Sequence, residues 1–307
     1  MSPTRRVAVI QWAIKNLAGE QNHATACEYI RSAAAQGAEL AVLPEYHLTG
    51  WAPEDPLFAT QAEQTVTANY LSAYQSLAKE LNICLVPGTI VEKHPHPNLN
   101  LDPKEQEGDK HAYVLYNTAY FISNTGEILG RYRKKNIWHP EREYLTSSAA
   151  EPHEVFDTPV GKVGLLICWD VAFPEAFREL ISNGAEVVVV PTYWGRSDAS
   201  PAALQHNANS EALFLDTTLT ARCFENTCAV IFANYAGTDQ SLGMSRIVLP
   251  IVGPVAKMEN EEGVLVGDMN MELVRLAEEN YKVRMDLGRE GWYYFYRHSL
   301  TGADGEP

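Results

Sequence analysis

Long apolar runs are missing from this sequence: no stretch approaches the roughly 18 consecutive apolar residues that a membrane-spanning helix needs. The opening, MSPTRRVAVIQWAI, passes almost directly into a strand-like pattern and carries no signal-peptide cleavage region. A soluble, cytoplasmic protein with no membrane partner is the expectation. Positive charge is also scarce. Lys and Arg number 24 against 39 Asp and Glu, a formal net charge of −15, so the chain lacks the basic surface that a nucleic-acid partner requires. Cysteine is sparse and unpatterned, with five residues at 27, 84, 168, 223 and 228 and no CxxC pair. An odd number at such wide spacing argues for reduced thiols rather than a disulfide framework. Cys223 and Cys228 are the nearest approach to a metal-binding pair, but no second pair accompanies them, so no metal is expected.

No linker divides the chain, and 307 residues at 46% hydrophobic composition suffice for a substantial core. A single domain over residues 1–307 is expected, with a C-terminal extension from about 285 that docks on a surface before fraying. The least core-like segment, EKHPHPNLNLDPKEQEGDKH at 92–111, reads as an excursion or lid. Elsewhere short apolar runs predict strands: RVAVIQWA, AELAVLPEY, NICLVPGTIV, LYNTAYFIS, KVGLLICWD, AEVVVVPTYW, TCAVIFANYAG and SRIVLPIVG. Their Val/Ile richness without strict alternation suits strands buried on both faces. Helical periodicity covers 22–36, 64–81, 174–183 and 201–226, the last with a break expected near Thr217. Alternation of this kind predicts an α/β layered fold.

The chain also echoes itself. GAELAVLPEY at 37–46 matches GAEVVVVPTY at 184–193, and each follows a strand and a helix. The pair reads as a βαβ unit used twice, although Gly-Ala-Glu is also a common helix ending before a strand. Two facing sheets, one from each half, would then bring the ends of two buried strands to one edge, where ligands of open α/β folds sit.

Three residues at strand ends can carry chemistry. Cys168 lies in GLLICWDVAFPEAFREL, after an apolar strand and before Pro174, which is placed to start a helix. There a sulfur can face a substrate while backbone N–H groups meet a reacting oxygen, whereas most free cysteines are buried and inert. Glu45, in AVLPEYHLTGW, follows a buried strand, where desolvation makes a carboxylate basic enough to take a proton near neutrality. An exposed salt-bridged Glu is the plainer alternative. Lys134 belongs to ILGRYRKK, with four cations between 131 and 135. These suit a charged edge strand, but alternation turns Tyr132 and Lys134 to one side and Arg131, Arg133 and Lys135 to the other.

Taken in chain order, LPEY, YRKK and CWD resemble the glutamate, lysine and cysteine motifs of the carbon–nitrogen hydrolase, or nitrilase, superfamily, and RCFENTCAVIFAN at 222–234 is similar to its Arg-x-x-Glu-Asn segment. The resemblance spans nearly the whole chain. It implies a four-layer αββα sandwich, two facing mixed sheets with helices outside, usually assembled as a homodimer or larger homo-oligomer. It also implies that Glu45 is the general base, Cys168 the nucleophile, and Lys134 with the backbone N–H of Trp169 the oxyanion stabiliser, with no metal or organic cofactor. Glu141, seven positions after Lys134, matches a second glutamate of similar enzymes, with Glu143 as its neighbour; His139 reads as a loop residue rather than a base.

The resemblance also bears on the substrate, a small amide or nitrile. Nitrilases of the family typically continue as Cys-Trp-Glu-His, whereas CWDVAFPE is closer to amide-cleaving members. Hydrolases of N-carbamoyl amino acids often hold a carboxylate with arginines where this chain has Val171 and Ala172; Arg196 is an alternative holder. Tyr46, Trp138, Trp169, Phe173, Tyr193 and Trp194 are expected to form an aromatic pocket, if they are not ordinary core. An apolar or aromatic carboxamide is the favoured substrate. Nitrile or N-carbamoyl hydrolysis, acyl transfer and an inactive binding scaffold are the alternatives.

Overall fold

A computed structural model describes residues 4–96 and 113–290. The first half runs β1 (Thr4–Gln11), α1 (Gly19–Ala35), β2 (Leu40–Val42), α2 (Pro56–Gln61), α3 (Gln64–Leu81), β3 (Cys84–Val86), β4 (Thr89–Pro95), β5 (Tyr113–Ile122) and β6 (Ile128–Arg133). The second half continues with β7 (Val155–Thr158), β8 (Gly161–Leu165), α4 (Pro174–Ser182), β9 (Val187–Pro191), α5 (Pro201–His206), α6 (Ser210–Glu225), β10 (Ala229–Ala233), β11 (Arg246–Leu249) and β12 (Gly253–Lys257). β13 (Gly263–Asn270), α7 (Glu272–Tyr281) and α8 (Val283–Leu287) close the described chain.

Two mixed sheets result. The first has the order β13-β1-β2-β3-β5-β4 with β6 also on β5; the second has the order β12-β11-β10-β9-β8-β7. The expectation of one sheet per half is corrected by β13, which crosses back and pairs antiparallel with β1 from Thr4↔Asn270 to Gln11↔Gly263. Side-chain alternation along β1 and β2 explains the layering. Val7, Val9, Leu40 and Val42 share a core with the all-buried Val187–Val190 run, whereas Ala8, Ile10, Ala41 and Leu43 pack with Ala26, Ile30, Tyr74 and Leu77 of α1 and α3. On the far side, α4 and α6 contribute Phe177, Leu180, Leu215 and Leu219 to the core of the second sheet. This is the expected αββα order.

The internal echo has a hydrogen-bonding basis. Gly37 and Gly184 both take left-handed φ, +79° and +96°. Behind each, the next residue returns to the helix: Ala38 N donates to Ala33 O and Ala185 N to Leu180 O, both at about 3 Å. Glu39 N then donates to Arg6 O, and Glu186 N to Lys162 O. Two strands therefore start in the same register relative to their parallel partners β1 and β8.

Two boundaries differ from expectation. NICLVPGTIV is two strands, because Pro87 and Gly88 turn the chain between β3 and β4. Residues 201–226 break at 207–209 rather than near Thr217. Thr217 satisfies its hydroxyl on Leu213 O (2.7 Å) inside α6, while Asn207 Oδ1 accepts from Asn209 N and opens the backbone there. The proposed lid at 92–111 begins within β4, and from residue 97 it lies outside the described residues, as does the docking C-terminal segment beyond 290. Among the described residues, no helix is long and apolar enough to cross a membrane.

Candidate active site

Glu45 follows β2 by way of Leu43 and Pro44, and the approach depends on Gly88. Gly88 has φ +60°, and a Cβ there would collide with Pro44 O, so the β3–β4 turn can lie against the Glu45 loop only as glycine. His47 completes the support, with its ring nitrogens on Thr89 O (3.2 Å) and Tyr74 Oη (2.8 Å).

The Glu45 carboxylate is fully buried and accepts three hydrogen bonds. Asn117 Nδ2 (2.7 Å) and Lys134 Nζ (2.9 Å) donate to Oε1; Tyr193 N (2.9 Å) donates to Oε2. Burial pushes its pKa up to about 7, with Lys134 opposing and Glu141 adding to the rise. Lys134 lies just past β6, on the inward side with Tyr132 as alternation predicts. Its Nζ also donates to both oxygens of Glu141, at 2.9 and 2.7 Å. Burial alone would lower the lysine's pKa, but the Glu141 and Glu45 carboxylates raise it well above the ordinary range, so the ammonium stays charged. Glu141 is held in turn by Tyr46 Oη (2.5 Å) and Trp138 N (2.9 Å). Glu143 and His139 are exposed, so Glu141 is the acid that geometry joins to Lys134.

Cys168 opens the short 3₁₀ turn Cys168–Ala172 after β8. Its backbone takes φ +48°, a conformation disfavoured for a side-chain-bearing residue and one that surrounding structure must enforce. Asp170 does so: its fully buried carboxylate accepts from Ile167 N (2.9 Å), Tyr132 Oη (2.8 Å), Asn136 N (3.1 Å) and Asn136 Nδ2 (2.8 Å). Cys168 Sγ makes a long contact with Tyr193 O (4.0 Å). Burial first, then the nearby Glu45 charge, pushes the thiol well above its ordinary range, with Lys134 opposing.

Cys168, Glu141 and Asp198 border a small cavity walled by Trp138, Trp169, Tyr193 and Trp194, of about 30 Å³ counted by the centres of water-sized spheres. Such a space holds about two waters. Of the anticipated aromatic set, Tyr46 and Phe173 stand one layer back, Tyr46 on Glu141 and Phe173 edge-on to Trp169 at 6.1 Å. Val171 is core, and the carbonyls of Val171 and Ala172 accept from Arg222 (3.1 and 3.3 Å). Neither residue is among those that border the cavity. Arg196 is exposed, its Nε donates to Ser241 O (3.0 Å), and it is not among the residues that border the cavity.

Sequence reasoning missed Asn117, Asn234 and Asp198. Asn117 was visible as a polar residue inside the apolar β5. Asn234, fully buried, fixes the Trp194 backbone by accepting from Trp194 N (2.8 Å) and donating to Trp194 O (2.9 Å). Asp198 carries no local signal.

The carbon–nitrogen hydrolase family profile matches residues 6–279. The chain belongs to the carbon–nitrogen hydrolase family. It is 28% identical over 94% of its length to a nitrilase from Pyrococcus abyssi, covering 99% of that protein. It is also 27% identical over 89% of its length to an omega-amidase from Homo sapiens, covering 90% of it. Among solved structures, it is similar to a variant of an amidase from Nesterenkonia sp. AN1 carrying the acetamide moiety of fluoroacetamide covalently at the active-site cysteine. That likeness has a TM-score of 0.67 at 24% identity, covering 91% of this chain and 96% of the other. The family makes this chain a carbon–nitrogen hydrolase, with amidases and nitrilases at similar distance.

Proposed function

We propose that this carbon–nitrogen hydrolase cleaves a small carboxamide with an apolar or aromatic body to carboxylic acid and ammonia through a Cys168 thioester. The observation that carries this reading is the buried Glu45–Lys134–Glu141 cluster beside Cys168. Burying two carboxylates and an ammonium is a poor route to stability, since desolvation offsets much of their attraction. The same arrangement suits catalysis.

Glu45 takes the thiol proton as the sulfur attacks the amide carbon, and the carbonyl π electrons move to oxygen. Lys134 Nζ and the Trp169 N–H meet that oxyanion, the latter from a first turn whose N–H groups have no intrahelical acceptor. The oxyanion then collapses, the C–N bond breaks, and the protonated Glu45 returns its proton to the departing nitrogen as ammonia. A water replaces ammonia; Glu45 takes its proton, hydroxide adds to the thioester, the C–S bond breaks and the thiol is reprotonated. Glu141 keeps Lys134 charged and aimed. A nitrile would enter the same site through a thioimidate.

Matched aliphatic and aromatic amide–nitrile pairs test the reading, assayed for ammonia and acid. Amide turnover well above nitrile turnover, abolished in a folded Cys168→Ala variant, is expected; nitrile preference or full activity without Cys168 would sink it. The family resemblance also suggests a homodimer, which sedimentation velocity would measure.

A further inference from the structure

The cavity is chemically one-sided. Asp198 borders it together with Trp138, Trp169 and Trp194. One Asp198 oxygen, Oδ2, accepts from Gly195 N (2.9 Å), while Oδ1 accepts no hydrogen bond among the described residues. Glu211, from α6, accepts from Trp194 Nε1 (2.6 Å), which places a second carboxylate directly behind that ring. Neither acid has a cationic partner among the described residues. Glu141 and Asp198 thus border the cavity, and Glu45 and Glu211 stand behind Tyr193 and Trp194 of its wall, four carboxyl groups against the single ammonium of Lys134, which Glu45 and Glu141 already engage. Tyr193 and Tyr235, whose rings stack at 3.9 Å, also feel the Asp198 charge.

Three indole rings line the same cavity. Trp138 and Trp169 meet edge-to-face at 4.3 Å, and Trp169 and Trp194 lie 5.4 Å apart, forming a partial aromatic box. An aromatic box with a free carboxylate at its edge attracts an ammonium group through the ring quadrupoles and the charge together. The chain's net charge of −15 adds long-range attraction for cations. A substrate carboxylate would meet mostly like charge, because the one ammonium, Lys134, is already engaged by Glu45 and Glu141. From this juxtaposition we infer that the enzyme selects amides bearing a cationic amine or ammonium group, with Asp198 as the specificity-determining residue. The inference rests on the cavity being the amide site of the reading above.

Three near-isosteric amides test it by ammonia release at mildly alkaline pH: γ-aminobutyramide (cationic), valeramide (neutral) and succinamate (anionic). The cationic amide should exceed the neutral one in kcat/KM by about tenfold, with succinamate the poorest. Asp198→Asn retains an oxygen for the Gly195 N–H and should bring the cationic-to-neutral ratio close to one, mainly through KM; Glu211→Gln should reduce it less. Crowding by surrounding protein, together with Glu211 and Glu141, raises the Asp198 pKa to about 6, although the residue is exposed enough for solvent to screen part of that rise. The cation preference should accordingly weaken as pH falls through this range. Tryptophan fluorescence titration of Cys168→Ala with the same amides reads binding without chemistry. Equal affinity for valeramide, tighter binding of succinamate, or a preference unchanged in Asp198→Asn would overturn the inference. Cation-selective binding without turnover of any amide would overturn the proposed reaction and leave the inference standing.

Discussion

Replacing Asp170 by Asn separates the work of holding Cys168 from the chemistry of Cys168 itself. Four donors converge on the Asp170 carboxylate, from Ile167 N, Tyr132 Oη, Asn136 N and Asn136 Nδ2. An amide offers one oxygen to them and turns its NH₂ toward the rest, so about two buried donors lose their acceptor. Each such loss costs about 1–3 kcal/mol, and relaxation within one network brings the sum to about 3 kcal/mol. Against a typical stability of about 5–15 kcal/mol the chain should still fold, with Tm lowered by about 5 °C for a chain of this length. Circular dichroism melts would measure the shift. At temperatures where the variant is folded, kcat should fall while KM changes little, because the left-handed Cys168 backbone loses its clamp. A Tm within about 2 °C of the parent with unchanged kcat would refute this account of Asp170.

Three further outcomes follow from the same geometry. Activity should rise with pH through about 7 as Glu45 loses its proton. Its raised pKa also means that the folded state keeps a proton which the unfolded chain releases in the ordinary carboxylate range. This contribution to stability is therefore present at low pH and lost as pH climbs toward 7, and urea midpoints compared with those of Glu45→Gln would show it. Glu141→Gln removes one of the two charges holding Lys134 and should lower kcat by about 10²–10³-fold, with KM for a neutral amide changing far less; steady-state kinetics would decide. Gly88→Ala forces a Cβ toward Pro44 O at a positive φ, and should cost at least about 1–3 kcal/mol and most of the activity together, seen in parallel melts and assays.

Much of the fold was legible because its signals are local. Val187–Pro191 and Ala229–Ala233 are apolar throughout and buried throughout, and Gly37 and Gly184 end two helices by one hydrogen-bond pattern. Glu45 and Cys168 were legible for a related reason: each stands just past a buried strand, where a polar or reactive residue interrupts an apolar run, whereas Lys134 was legible through the inward side that alternation gives it in a charged edge strand. What escaped depends on contacts distant in sequence. β13 is only partly buried and acquires its role by crossing back to β1. Asp170 looked like a substrate clue beside Cys168, yet three of its four donors come from 34 and 38 positions away. Asp198 sits in an ordinary polar turn, and only the packing of three tryptophans around the cavity gives its carboxylate meaning.

Carbon–nitrogen cleavage is expected to proceed through a covalent acyl group on Cys168. Rapid acid quench during amide turnover, followed by intact mass and peptide mapping, tests it most directly. The account predicts an added mass equal to the acyl group, confined to the Cys168 peptide, labile to hydroxylamine, and absent in Cys168→Ala together with ammonia release. Steady turnover with no adduct on Cys168, and persisting in the alanine variant, would contradict it.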